Sequence, residues 1–397
     1  CEINEISNPD NNKVTFYGGG KTGKTLEADE EIEGDYCLAA GVLDLNGKTL
    51  TINGNLIQSG GEIVINGGVL DVKGDYRIQS RTEKEDGTYS YGYSTGYLTM
   101  TNEADKVKIG GSFVTDSSVD HSGKLTAGTM EIGGDFTQNS SKSSYNFAAS
   151  GSHKVTFTSD KKHVVSVSSQ NASYFNKLDI TGAEIELKYD TYLKNELIGE
   201  DGVITGKTIV ICNNAKVPSV INGNVEIYGN YTLAKDVQIK GSLYFYYSQF
   251  NLSGYTLTVD GNTTSYDSTI NLNKGTYNSN GDFSVGKYVI LNIVNPEDKL
   301  NVKGNFKFTG YYSTKITSGK INIKGNCTIE NGNFRPSGEN EIIFSGEKKQ
   351  EVKVTDTSSY LNKIVIDNKS EEGVVFLTAC EINEISNPDN NKVTFYG

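Results

Sequence analysis

The chain has no tryptophan, and its 397 residues include only 2 methionines and 3 histidines. These numbers leave few side chains for nucleophilic, acid–base or metal chemistry. The histidines, His121, His153 and His163, are isolated, and no two of them have the spacing of zinc ligands. We therefore expect them at the surface or at strand edges. The sequence predicts no catalytic residues, no metal site, no cofactor and no enzymatic activity.

Long apolar runs and an excess of basic residues are also missing. No run approaches the roughly 18 residues that a membrane helix needs, so no membrane span is predicted. There are 37 Lys and Arg against 49 Asp and Glu, a net charge of −12. Because nucleic-acid binding needs a basic surface, nucleic acid is not an expected partner. An acidic surface suits a soluble, extracellular protein.

The chain is rich in glycine, with 44 residues, and its organising unit is the segment LDLNGKTLTINGNLIQ, residues 43–58. Its short apolar–polar alternations predict strands with one buried face. The steps Asn46-Gly47 and Asn53-Gly54 are expected to take the left-handed backbone conformation of sharp turns. Asn-Gly between strands usually indicates an antiparallel hairpin. However, the same pattern returns about twenty residues later in the same direction, which favours parallel strands.

A turn-and-anchor motif makes this period visible: Gly, then Asn, Asp or Ser, then usually an apolar anchor. It begins at Gly54, Gly74, Gly111, Gly134, Gly223, Gly241, Gly261, Gly281, Gly304 and Gly325, with anchors that include Leu56, Tyr76, Phe136 and Phe306. A repeat near 20 residues predicts an all-β fold, a right-handed parallel β-helix (β-solenoid) with three short strands per coil. A sandwich of antiparallel repeats is the alternative, but it would not repeat one strand–turn order in one direction.

Two longer repeats overlie the coils. Residues 1–18 recur unchanged as residues 380–397, which defines a period of 379 residues. Within it, residues 150–167 resemble residues 337–354, so each period has two diverged halves. We interpret 1–21 as the end of a preceding copy, 22–204 as the first half and 205–397 as the second half. Together they are expected to form one continuous rod.

One coil carries an insertion. The glycines of the motif at 74 and 111 are 37 residues apart, and the extra residues lie within 81–97. This predicts a loop in which Tyr89, Tyr91, Tyr93 and Tyr97 alternate with Gly and Ser. Tyr among small residues is typical of adaptable binding loops. The alternative is a loop that folds back and covers the side of the solenoid with its rings.

Residues 18–25 formally match a phosphate-binding loop, G-x-x-x-x-G-K-[ST]. The acidic run that follows, from Glu27 to Asp35, would repel a nucleotide, and Gly34 leaves little room for the required helix. Carboxylates in such a run can hold a hard cation, but the spacing is not that of a calcium loop. A solvated, charged turn is the favoured interpretation.

Each 379-residue period contains four cysteines, Cys37, Cys212, Cys327 and Cys380, because Cys1 and Cys380 are the same repeat position. Cys327 occupies the anchor slot of the motif, which predicts a buried free thiol. An even number of cysteines permits disulfides, but nothing in the spacing pairs them.

The stretches GVLDLNGKTLTINGNLIQSGG, GGVLDVKGDYRIQS and SGKLTAGTMEIGGDFTQ resemble repeats of large, tandem-repeat β-helical surface and fibre proteins of Gram-positive anaerobic bacteria. The resemblance is closest over residues 41–181. It implies an exported, repetitive stalk or fibre at the cell surface and carries no active site.

The expected function is therefore a structural or adhesive extracellular fibre, made of tandem or end-to-end stacked repeats. Its main partner would be itself, with a cell-surface glycan or host surface as a further partner. The alternative is a carbohydrate-binding or carbohydrate-active β-helix that uses tyrosines to stack on sugars.

Overall fold

The computed structural model describes residues 23–169, 171–312, 315–330 and 332–396. Within these residues the fold is all-β without a helix, and stacked parallel strands form a β-solenoid of about 18 turns with roughly 21 residues each. The predicted fold class is confirmed, and the handedness of the coil stays a prediction. The segment 1–21, with Cys1 and most of the phosphate-loop match, lies outside the described residues. The chain divides into two compact units, Cys1–Thr208 (unit 1) and Ile209–Gly397 (unit 2).

Unit 1 has three parallel sheets and one antiparallel hairpin. The first sheet contains Lys24–Thr25, Val42–Asp44, Glu62–Val64 and Tyr97–Thr99. The second contains Glu30–Ile32, Thr49–Ile52, Val69–Val72, Lys106–Ile109, Thr129–Ile132, Lys154–Phe157, Phe175–Asp179 and Thr191–Ile198. The third contains Tyr36–Leu38, Leu56–Gln58, Tyr76–Ile78, Phe113–Thr115, Phe136–Gln138, Lys162–Val167, Glu184–Leu187 and Val203–Gly206. The hairpin pairs Ser80–Glu83 with Tyr89–Gly92.

Unit 2 is also built from three parallel sets of strands. The first contains Val220–Ile221, Val237–Ile239, Thr256–Val259, Thr276–Ser279, Lys299–Val302, Lys320–Ile323, Glu341–Phe344, Tyr360–Ile366 and Glu381–Ser386. The second contains Ile209–Cys212, Val225–Thr232, Leu243–Asn251, Thr263–Tyr266, Phe283–Val285, Phe306–Phe308, Cys327–Ile329, Gln350–Val354, Val374–Phe376 and Val393–Phe395. The third contains Thr269–Asn271, Ile290–Ile293 and Lys315–Ile316.

The number of strands per coil varies along the chain. In unit 1 the first sheet ends at Tyr97–Thr99, and the later coils have two strands and a third side with isolated bridges such as Met100–Leu125. In unit 2 the third set of strands begins beside the second half of Leu243–Asn251. The three short strands predicted for each coil thus occur in only part of the solenoid.

The core follows from in-register stacking of alternating sequences. In Thr49–Ile52 the side chains of Leu50 and Ile52 point inward and are buried, and they pair in register with Leu70 and Val72 of the next coil. Because each coil repeats this arrangement, apolar side chains stack above one another along the solenoid axis. Hydrophobic burial between neighbouring coils therefore stabilises the fold.

The turn-and-anchor motif contributes a buried anchor and a hydrogen-bonding side chain at one corner. Its anchors, including Leu56, Tyr76, Phe136 and Phe306, are buried. Its polar residue accepts a hydrogen bond from the backbone N–H of the equivalent residue one coil later, as Asn55 Oδ1 does from Asp75 at 2.8 Å. We call this series the corner ladder. It passes through Asp35, Asn55, Asp75, Ser112 and Asp135 in unit 1, and through Asn224, Ser242, Asn262, Asp282, Asn305 and Asn326 in unit 2.

The corner glycines are required because neighbouring backbones approach closely. A Cβ on Gly54 would lie 2.4 Å from the carbonyl carbon of Gly34, and Gly74, Gly134 and Gly304 are equally crowded. The left-handed conformation predicted for Asn46-Gly47 is present, with φ of 48° and 76°. The same prediction for the step at 53–54 is wrong, because this glycine avoids a steric clash and does not make a left-handed turn.

A pair of buried polar residues recurs in both units. In unit 1 the Ser173 hydroxyl accepts a hydrogen bond from the N–H of Phe147, and Asn176 donates to a backbone carbonyl at 2.8 Å. In unit 2 Ser359 and Asn362 make the equivalent bonds at 3.2 and 2.9 Å. The similar sequences SYFNK (173–177) and SYLNK (359–363) therefore reflect the same hydrogen-bonding requirement at two places.

Candidate functional site

The inserted loop of unit 1 is a hairpin that folds back onto the side of the solenoid. The Arg81 side chain is 3% exposed, and its guanidinium lies 3.0 Å from the carboxylate of Asp35 in the corner ladder. The same guanidinium lies 4.4 Å from the ring centroid of Tyr89, and Arg77 lies 4.7 Å from that of Tyr91. The contacts of Arg81 with Asp35 and of Arg77 with Tyr91 hold the hairpin against the solenoid, as in the second interpretation of the loop, while the ring of Tyr91 stays 41% exposed.

The other two tyrosines of the predicted group are placed separately. Tyr93 is 48% exposed with the Lys142 ammonium 5.0 Å from its ring centroid. Tyr97 lies in a strand of the first sheet, where its hydroxyl donates to Glu62 at 3.0 Å and the Lys124 ammonium lies over its ring. Each of the four predicted tyrosines therefore has a different cation over its ring.

The prediction of surface positions for the three histidines is wrong, because all three are buried. Within the described residues the ring nitrogens of His121 and His153 have no hydrogen-bond partner. Burial lowers the pKa of each of these two imidazoles to about 4. His163 instead bonds through Nδ1 to the carbonyl of Gly134 at 2.5 Å. The neutral imidazoles of His121 and His153 thus serve as core side chains.

The side chains of the cysteines and of the acidic run take part in the packing and hydrogen bonding of the fold. Cys327 and Cys380 are free thiols, and the predicted burial of Cys327 is confirmed, with burial raising the pKa of its thiol to about 12. In the acidic run, Asp29 accepts the N–H of Thr49, and Glu31 accepts from Asn53. Across the described residues no group of three or more His, Cys, Asp or Glu side chains could hold a metal ion.

A depression of about 290 Å³ on unit 1 contains two carboxylates. Glu103 accepts a hydrogen bond from the Ser152 hydroxyl, and the Glu196 carboxylate lies 3.9 Å from the Lys177 ammonium. Both groups therefore act as partners of neighbouring surface side chains.

Unit 2 carries an extended aromatic surface that the sequence analysis missed. Rings from successive coils contact one another, with centroid distances of 5.8 Å between Tyr246 and Tyr266, 6.2 Å between Tyr266 and Tyr288, and 6.3 Å between Tyr288 and Tyr311. We call this group the tyrosine ladder; its members are Tyr246, Tyr247, Tyr266, Tyr288, Tyr311 and Tyr312. The members are partly exposed, with 50% of Tyr247 and 49% of Tyr311 accessible.

The tyrosine ladder lies where the second and third sets of strands of unit 2 separate. The strand Leu243–Asn251 pairs with Thr263–Tyr266 through its first half and with Thr269–Asn271 through its second half. The bend between the halves is at Tyr247, whose φ of 49° is left-handed, and Tyr288 has a φ of 61° at the same corner two coils later. Both tyrosines therefore occupy a backbone conformation that bulky residues rarely adopt.

A row of amides runs parallel to the tyrosine ladder. Asn251, Asn271 and Asn292 stand on three successive strands, and we call them the amide row. The Asn292 Nδ2 donates to Asn271 Oδ1 at 2.7 Å, and Asn271 Nδ2 donates to the carbonyl of Phe250 at 3.2 Å. The row lines a depression of about 220 Å³. Tyr247 and Asn251 are four positions apart in the sequence, so their Cα atoms lie at most about 13 Å apart along the strand.

We define the ladder face as the tyrosine ladder, the amide row and the side chains between them. Those between are Gln249, Thr269 and Ile290 on the strands and Asp267 and Lys287 at the corner. The Lys287 ammonium lies 4.9 Å from the ring centroid of Tyr288 and 5.3 Å from that of Tyr311. A sequence signal for this face existed: tyrosines recur at 246, 266 and 288 with the period of the coil.

Within the described residues there is no helix that is both long and apolar enough to cross a bilayer. No protein-family model, curated protein or solved structure matches the chain.

Proposed function

We propose that the protein is a structural, exported fibre or stalk in which the 379-residue repeat extends a solenoid. The observation that supports this most is the fold of the duplicated segment. In its second copy, Glu381–Ser386 pairs in parallel with Tyr360–Ile366, and Val393–Phe395 pairs with Val374–Phe376. The duplicated sequence is thus compatible with a solenoid coil.

The order of the sequence supports continuation from copy to copy. In their first occurrence the same 18 residues precede residues 24–38, which form a coil of unit 1. A segment that stacks on the end of one repeat therefore leads into the coils of the next. The side chains of Ile385 and Phe395 are 46% and 56% exposed, and another coil stacked there would bury them.

Unpaired strand edges also favour extension. The backbone donors and acceptors of a terminal parallel strand pair readily with another strand. Covalent tandem copies would cover such edges within one polypeptide, and separate chains would cover them by end-to-end stacking. Extracellular location fits the net charge of −12 and the resemblance to surface-protein repeats.

Electron microscopy of the purified chain over a range of concentrations tests the proposal. We expect rods, with each 379-residue copy adding on the order of 90 Å at about 4.8 Å per coil. If separate chains stack, Phe395→Lys should shorten the rods, whereas Thr264→Lys, at an exposed strand position on the side of unit 2, should leave their length unchanged. Isolated globular particles at every concentration would contradict the fibre.

A further inference from the structure

We propose that the ladder face of unit 2 binds a neutral, linear polysaccharide. The tyrosine rings would contact the apolar C–H surfaces of successive sugar rings, and the amide row would bond their hydroxyls. This inference goes beyond the fibre and does not depend on it, because a single unit 2 contains the whole face.

The chemistry of the rings suits a sugar. A tyrosine ring has an electron-rich surface, a partly positive edge and a polar hydroxyl, so it presents apolar and hydrogen-bonding groups together. Sugar rings have the same dual character, with C–H groups on one side and hydroxyls at the rim. The ladder rings share contacts with each other and still leave 39% of Tyr266 and 50% of Tyr247 exposed. They form a partly ordered surface that needs little rearrangement to bind.

Two of the ladder tyrosines, Tyr247 and Tyr288, have a strained, left-handed backbone. At the same corner, two residues before the third set of strands, the left-handed positions are occupied by Tyr247, Asp267 and Tyr288. One coil earlier the left-handed residue is Gly229, with φ of 79°. Glycine takes this conformation freely, whereas a bulky L-residue is strained in it. Strained residues concentrate at binding surfaces, where the side chain serves a purpose beyond folding.

The amide row supplies the polar half of the surface. Each amide offers both a donor and an acceptor, the combination needed for sugar hydroxyls. The depression along Asn251, Asn271 and Asn292 has a volume of about 220 Å³, enough to receive sugar hydroxyl groups on the strand side of the face, while the rings lie at its corner. A binding site with apolar contacts and a few well-placed polar groups is the usual arrangement for a specific ligand.

Charge and repetition specify a neutral polymer. Among the described residues of the ladder face the charged side chains are Asp267 and Lys287, one of each sign, and Lys315, which pairs with Asn292 on the next strand, adds one more cation beside the amide row. An anionic ligand would need a cluster of cations, so a neutral one fits better. The tyrosines recur once per coil over four coils, from Tyr246 to Tyr312, with ring separations near 6 Å. A linear polymer of sugar rings, which repeats along its length, matches a surface that repeats along the solenoid.

The test is binding of the purified chain to an array of neutral linear oligosaccharides of two to eight sugars. Pro-rich peptides and a sulfated glycan are included on the same array. We expect binding to a neutral series whose affinity rises up to about four sugars, one for each coil of the ladder, and then levels off. Tyr266→Ala should weaken this binding about tenfold, because its ring contacts neighbours on both sides.

Tyr255→Ala is the matched control. Tyr255 belongs to the same unit and is 38% exposed, close to the 39% of Tyr266, but lies outside the ladder face. Its removal should leave affinity unchanged. Tyr247→Gly gives a second variant that keeps the fold, because glycine relieves the left-handed strain. It should keep or slightly raise the thermal midpoint of unfolding while weakening glycan binding.

Three results would overturn the proposal. The first is no binding to any neutral glycan on the array or to insoluble polysaccharides in a sedimentation assay. The second is glycan binding that Tyr266→Ala and Tyr255→Ala reduce equally. The third is binding to Pro-rich peptides alone, or loss of lateral self-association by Tyr266→Ala without any glycan binding, since the face would then recognise a protein.

Discussion

The two units use exposed tyrosines in opposite ways. In unit 1 a separate cation lies over each ring of the inserted loop, such as Arg81 over Tyr89 and Arg77 over Tyr91. In unit 2 the rings of the tyrosine ladder contact one another across coils, and Lys287 adds one cation. The first arrangement holds an insertion on the solenoid through separate contacts, and the second forms a continuous, repetitive surface of rings. The clustering of tyrosines in the sequence therefore pointed to the rings of the inserted loop. The recurrence of tyrosines with the coil period points instead to the tyrosine ladder.

A fall in pH should produce the largest difference in stability between the two units, because all three histidines of the chain lie in unit 1. The folded pKa of His121 and of His153 is about 4, below the usual 6.5, because burial disfavours the charged form. Between these values the unfolded chain binds more protons than the folded one, so unit 1 loses stability as the pH falls from about 6.5 to about 4. The loss approaches about 3 kcal/mol for each of the two histidines.

Hydrogen exchange at pH 7, 5.5 and 4.5 measures this difference. Protection should fall in unit 1 and change much less in unit 2 over this range. The variant His153→Asn is the matched control, because unit 2 has Asn340 at the corresponding repeat position. It should remove about half of the acid effect. Equal loss of protection in both units would show that the histidines are not responsible.

Removing the guanidinium of Arg81, which holds the hairpin on the solenoid, should have the next largest effect. Arg81→Ala leaves Asp35 without its buried ion-pair partner and exposes the ring of Tyr89, so we expect unit 1 to lose about 3 kcal/mol of unfolding free energy. Chemical denaturation gives the free energy, and proteolysis should cut within 80–92. Lys142→Ala, which removes the exposed cation near Tyr93, should cost less than about 1 kcal/mol. Equal costs for both variants would mean that the buried pair does not hold the hairpin.

The smallest expected effect concerns the corner glycines, a feature that both units share. Gly111→Ala in unit 1 and Gly281→Ala in unit 2 both place a Cβ about 2.5 Å from atoms of the preceding coil. Overpacking of this kind should cost about 2 kcal/mol at either position. Gly182→Ala is a control without crowding, because its φ of 68° imposes only backbone strain. Thermal unfolding of the three variants gives the comparison, and a loss at only one corner would show that the corners are not equivalent.

Much of the fold could be predicted because the solenoid is local and repetitive. The alternation of Leu50 and Ile52 and the period of the corner glycines together specify parallel stacking. The burial of the histidines could not be predicted, since position within a coil decides it and three residues give no periodic signal. The recurrence of tyrosine at 246, 266 and 288 could have indicated the tyrosine ladder, but its place at the bend of Leu243–Asn251 could not be predicted, because the sequence does not mark where this strand changes its pairing partner.

The corner ladder also has a direction. Each acceptor lies on the earlier coil and each donor on the later one, as with Asp35 and Asn55 or Asn305 and Asn326. A growing chain therefore finds an acceptor already in place for the next coil, whereas a coil added in front would have to bring its own. We expect the solenoid to assemble in the order in which the polypeptide is synthesised, with each finished coil acting as the template for its successor.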